Sequence, residues 1–133
     1  MLKLLLGSLL VFSFSSVSSA HDHSAEVCSE KNSKVCVHLG IHEELTSEKE
    51  GQFIIHAMPA DGGVIQNLQA DLWMDMGSGH GHGSAPLTIT QSKPNIYFVT
   101  NAWFIMMGEW QVRMQFELNG ETHQIIIPVY IKK

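Results

Sequence analysis

The chain has 133 residues, with 8 Lys and Arg against 13 Asp and Glu and a net charge of −5. No basic patch interrupts this acidic balance, which leaves nucleic acid and anionic lipid as poor partners. The length suits one domain with a modest core, and the acidity agrees both with cation binding and with an ordinary solvated surface.

Lys3 precedes an almost wholly apolar run, residues 4–14, broken only by Gly7, Ser8 and Ser13. Residues 15–20 are small and polar apart from Val17, and Ser18 and Ala20 satisfy the small-x-small cleavage rule. Residues 1–20 are therefore expected to be a signal peptide cut before His21. A transmembrane anchor needs about 20 apolar residues, more than this run supplies. No later run is long enough to span, and no Cys follows to carry a lipid. The expected product is a periplasmic or secreted protein of about 113 residues, a common single-domain size, with no membrane span.

Residues 21–33 read as a polar tail. They carry Cys28, which with Cys36 makes the only cysteine pair. In an oxidising compartment a disulfide is expected, and the rival is a pair of soft metal ligands, although C-x7-C is not a standard zinc spacing. The domain is expected over residues 34–133. Val35, Val37, Leu39 and Ile41 alternate with Cys36, His38 and Gly40, which is the period of a half-buried strand. A charged connection, residues 43–51, leads to a second strand in which Phe53, Ile55 and Ala57 alternate with Ile54, His56 and Met58. His38 and His56 sit opposite the apolar faces, as cross-strand ligands or as exposed side chains.

A turn cluster at residues 59–63 precedes a less regular strand over 64–74, with Leu68, Ala70 and Leu72 on its apolar face. Gly77, Gly79, Gly81 and Gly83 then alternate with Ser78, His80, His82 and Ser84, too many glycines for a regular element. A short strand over 86–91, a turn at Pro94 and Asn95, and a returning strand over 97–104 follow. Trp110, Val112, Met114, Phe116 and Leu118 give the cleanest alternation, and Asn119-Gly120 is a strong hairpin signal. Ile125, Ile127, Val129 and Ile131 mark the last strand, where Pro128 predicts an edge position or a bulge. About seven short strands and no helix predict an all-β, immunoglobulin-like two-sheet sandwich.

The candidate chemistry lies in Met74-Asp-Met76-Gly-Ser-Gly-His80-Gly-His82. Thioether sulfur suits Cu(I), and imidazole suits both copper states and zinc. One Met at a strand end is as readily a core plug, and a single His an ordinary surface residue. Packing does not explain the combination within a glycine loop. Met106 and Met107, in another connection, are expected to approach the same end and supply a further ligand, whereas Met114 reads as core. Trp73 and Trp103 either shield such a site or fill the core. Cleavage before His21 would expose His21-Asp-His23, whose amine, backbone amides and His23 ring form a square-planar Cu(II) or Ni(II) chelate. A brace using the His21 amine and ring is the alternative there. His123 reads as incidental. The chain has no HExxH helix, no Gly-x-Ser-x-Gly elbow and no Cys nucleophile, so no enzyme is expected.

The residues Met74-Asp-Met76-Gly77 with His80 or His82 and Ser84-x-Pro86, followed by Tyr97 to Phe104 and Met107-Gly108-Glu109-Trp110, resemble the YtkA-like and FixH-like small exported β-sandwich domains. Met107 here precedes Gly108 directly, without the Pro usual in that pattern, and the Gly/His loop is longer. The resemblance covers about half of the chain after the leader, a moderately specific match. It implies an immunoglobulin-like fold and copper handling in the cell envelope. Similarity to the CopC-like copper carriers is weaker and rests on the possible N-terminal His ligand. The expected function is binding and carriage or sequestration of copper, with an envelope metalloprotein or oxidase as recipient. The alternative is a non-catalytic interaction or accessory domain without a metal role. A histidine-brace enzyme and a zinc carrier stand behind both.

Overall fold

A computed structural model describes residues 25–133. The signal peptide and the His21 and His23 motif lie outside the described residues. Among the described residues, nine strands form two antiparallel sheets: β1 (Ala25–Glu30), β2 (Lys34–Gly40), β3 (Gly51–Pro59), β4 (Gln66–Gly77), β5 (His80–Gly83), β6 (Thr88–Lys93), β7 (Ile96–Ala102), β8 (Gly108–Leu118) and β9 (Glu121–Ile131). The first sheet has five strands in the order β1-β2-β3-β7-β6, and the second has four in the order β5-β4-β8-β9. The two-sheet sandwich expected from the alternation is what forms. Among the described residues no helix is long and apolar enough to cross a membrane.

The core is assembled from the alternating positions. Val35, Val37 and Leu39 on β2 and Phe53, Ile55 and Ala57 on β3 face Trp110, Val112, Met114, Phe116 and Leu118 on β8, and all are buried. Ile125, Ile127, Val129 and Ile131 extend this face on β9. Each fully buried aliphatic or aromatic side chain contributes about 1.5–3 kcal/mol relative to exposure, so this face dominates stability. Asn119 and Gly120, at φ 51° and 77°, close the β8–β9 hairpin in the doubly left-handed geometry that Asn-Gly favours. β9 ends the second sheet, so Pro128 sits on an edge strand where its missing N–H is tolerated.

Two readings change. Within the stretch read as a polar tail, residues 25–30 form β1, paired with β2 along its length from Ala25↔Leu39 to Glu30↔Lys34. Its inward positions, Ala25, Val27 and Ser29, are small and few, so the period-two signal is weak in sequence. The glycine stretch read as irregular contains β5, which pairs with β4 through Trp73↔Gly83, Met74↔His82, Asp75↔Gly81 and Gly77↔His80. Sheet pairing and a large neighbouring ring order what glycine entropy alone would leave loose.

Asn95 ties the sheets near the β3–β4 connection. At φ 66° it accepts the N–H of Ile65 at 2.8 Å and donates to the carbonyl of Gly63 at 2.8 Å, while its own carbonyl accepts from Ala57 N–H at 2.9 Å.

Candidate metal centre

The β4–β5 hairpin turns through Gly77, Ser78 and Gly79, all at positive φ (86°, 52° and 76°). Glycine on either side of Ser78 meets this demand with little strain. The Asp75 carboxylate accepts the Gly77 N–H at 2.9 Å and so closes the turn. Residues directly opposite in an antiparallel pair share a face, so Met74 and His82 project from the same side of the sheet, and His80 shares that face with His82 by strand period. The register shifts between Asp75 and Gly77, which leaves Met76 at the irregular position beside the turn.

Trp73 and Asp75 lie on the opposite face from Met74. A Cβ on Gly81 would run into the Trp73 indole and sit 2.6 Å from the Met74 carbonyl oxygen. Gly81 therefore provides room for an aromatic ring instead of slack in a tether. The Arg113 guanidinium covers that ring 4.6 Å from its centroid and binds Asp71 through two hydrogen bonds of 2.7 and 2.6 Å. The Asp71 carboxylate raises the guanidinium pKa further above its ordinary value. Trp73 stiffens the hairpin from outside and does not shield the Met74 face, in contrast to one of the roles open to it in sequence. A shallow cleft of about 550 Å³ lies on this outer face, lined by Asp71, Arg113, Met114 and Gln124 and by none of the candidate donors of the hairpin.

A second connection meets the hairpin. Gly108, at φ 121°, begins β8 where any Cβ would stand 3.1 Å from the terminal methyl of Met74. The Ser84 hydroxyl donates to the carbonyl of Trp103. Trp110, edge-on to Phe104 at 5.5 Å, donates its indole N–H to the Met106 carbonyl at 2.9 Å. These contacts bring the 103–108 segment and its two methionines against the Met74 end of the hairpin.

The candidate donors divide by exposure. Met74 is only 6% exposed and belongs to the core, and Met106 packs partly buried against it. Met76 and Met107 are 56% and 55% exposed, and His80 and His82 are exposed as well. Thus soft sulfur lines both the floor and the rim of one end of the sandwich, with two imidazoles on the hairpin edge. Trp103 and Ile105 are also exposed here, at 43% and 57%. Trp103 has its indole N–H on Asn101 Oδ1 at 2.9 Å.

Cys28 and Cys36 are bonded to each other across β1 and β2. Glu26 lies close enough that its carboxylate and the two sulfurs are within 4.8 Å of one another, but the disulfide removes both thiolates as ligands. Such a bond belongs to oxidising compartments. His123 is not incidental: it is fully buried, stacked on Phe116 at 5.6 Å, with Nδ1 at 2.9 Å from the Ser29 hydroxyl and Nε2 without a partner among the described residues. Its position two residues before Ile125 in the last strand's inward register was the available signal.

Comparison with protein-family models, with curated proteins and with solved structures returned no match.

Proposed function

We propose that this chain is an exported copper-binding protein that carries or sequesters copper in the cell envelope. The observation that carries the reading is the meeting of Met74, Met76, His80 and His82 on one hairpin with the Met106 and Met107 connection at a single end of the sandwich. Thioether and imidazole together match Cu(I) in softness. Asp75, the harder donor weighed for zinc, is engaged in the turn and lies off the Met74 face. The exposed rim of Met76, His80, His82 and Met107 suits a cargo that must be handed on, with an envelope metalloprotein or oxidase as receiver. His21 and His23 form the proposed Cu(II) site at a free amino terminus. Export rests on residues 1–20 and agrees with the disulfide.

The exposed apolar side chains at this end, Met76, Trp103, Ile105 and Met107, favour one alternative: a docking domain with no metal role. Titration with Cu(I) against a chromogenic chelator, in reducing and oxygen-free buffer, separates the two. Stoichiometric binding that Met74→Leu with Met76→Leu weakens in a folded protein supports copper carriage. Binding no better than that of an unrelated acidic protein, or affinity unchanged in the folded double variant, overturns the loop site.

A further inference from the structure

The five-stranded sheet carries a second row of ligands that the Met/His end does not use. Glu26, His38 and His56 stand directly opposite one another on β1, β2 and β3. The neighbouring positions Val37, Leu39, Ile55 and Ala57 are buried, so the two imidazoles project from the outer face, where both are half-buried. Glu26, opposite His38, shares this face and is exposed. Neither imidazole has a hydrogen-bond or ion-pair partner among the described residues.

We propose that His38 and His56 form a divalent transition-metal site, with the Glu26 carboxylate as third ligand. Side chains directly opposite in an antiparallel pair have Cβ atoms about 4.5–5.5 Å apart. Imidazole nitrogens bind zinc at about 2.0–2.1 Å, a span two such rings close by rotation about their side-chain bonds, without moving the backbone. In the structure the Glu26 carboxylate rests by the disulfide sulfurs and does not form a group within 4.8 Å with both rings, so the site requires it to rotate toward His38, its neighbour on the adjacent strand. Two nitrogens, one carboxylate and an open position make a nitrogen and oxygen set that suits Zn(II) or Cu(II) and, with no thioether in it, disfavours Cu(I). Met58 lies one row away, opposite Cys36, and is not a member of the set. The site is independent of the copper reading: it lies on the other sheet and differs in hardness.

The probe is Zn(II), added to the full chain and followed by imidazole nitrogen and proton NMR shifts together with calorimetry. The expected result is saturable binding that shifts the His38 and His56 rings. His38→Gln or His56→Gln should weaken it about tenfold or more, and Glu26→Gln by less. His80→Gln with His82→Gln should leave those shifts intact, which distinguishes this site from the hairpin. Each substituted side chain is half-buried or exposed, and the retained spectrum of the buried residues reports that the fold persists. Shifts absent from His38 and His56, or an affinity unchanged in the His38→Gln/His56→Gln protein, would overturn the site. Zinc binding that disappears only with His80 and His82 would do the same.

Discussion

Replacing Gly81 with Ala asks whether an ordered hairpin, instead of a loose glycine tether, presents the histidines. The added methyl would stand 2.6 Å from the Met74 carbonyl oxygen and press into the Trp73 ring. That ring cannot retreat easily, because the Arg113 guanidinium lies over it at 4.6 Å and is held by Asp71. Overpacking of this kind costs about 1–3 kcal/mol. β5 contains no buried side chain and ends its sheet against β4 alone, so detaching it relieves the clash while sparing the core. The cost then falls on the metal-competent hairpin, and a penalty of that size lowers Cu(I) affinity by about 5–150-fold. Competitive Cu(I) titration reads the affinity, and amide exchange over residues 80–83 reads the detachment. The denaturant midpoint should stay near that of the parent protein. Parental protection of the 80–83 amides would refute the packing argument. Faster exchange with parental affinity would refute the link from hairpin to metal.

The buried His123 makes a separate forecast. Ser29→Ala leaves Nδ1 without its partner and should cost about 1–3 kcal/mol, whereas joining it to His123→Phe removes both polar groups and returns stability to within about 1 kcal/mol of the parent. Urea midpoints decide, and a double variant as unstable as the single one would count against a polar penalty. The Asp61 carboxyl is held below the ordinary carboxylate range by the Gly63 N–H and then by the Asn119 amide. A depressed folded pKa contributes stability that is present above the ordinary carboxylate range and lost as pH falls through the lowered value. Asp61→Asn should therefore flatten the acid limb of the stability profile, checked by thermal midpoints between about pH 2 and pH 6, and an unchanged slope would show that the two hydrogen bonds do not persist in solution.

The strong strands were legible because their neighbours hardly matter. Trp110 to Leu118 and Ile125 to Ile131 alternate so regularly that any sandwich must bury the same faces, and Asn119-Gly120 encodes its own turn through backbone sterics. β1 and β5 were illegible for the opposite reason. β1 has only Ala25, Val27 and Ser29 facing inward, and it is placed by its pairing with β2, the disulfide and its packing on β9. β5 is a glycine-histidine stretch that becomes a strand because β4 offers a ladder and Trp73 fills the space above Gly81.

For the candidate site, the sequence by itself determined which donors the chain owns: thioethers and imidazoles clustered in Met74 to His82, with Met106 and Met107 in a distant connection. Ligand chemistry is a property of residue type and survives any fold. Which donors meet, and on which face, was decided only by tertiary structure. The approach of Gly108 to the Met74 methyl and the opposition of His38 to His56 are long-range, and even the local register Met74↔His82 is set by a hairpin whose glycine turn and bulge the alternation does not encode. A shift of one residue in any such ladder would turn the same side chains to the other side of the sheet.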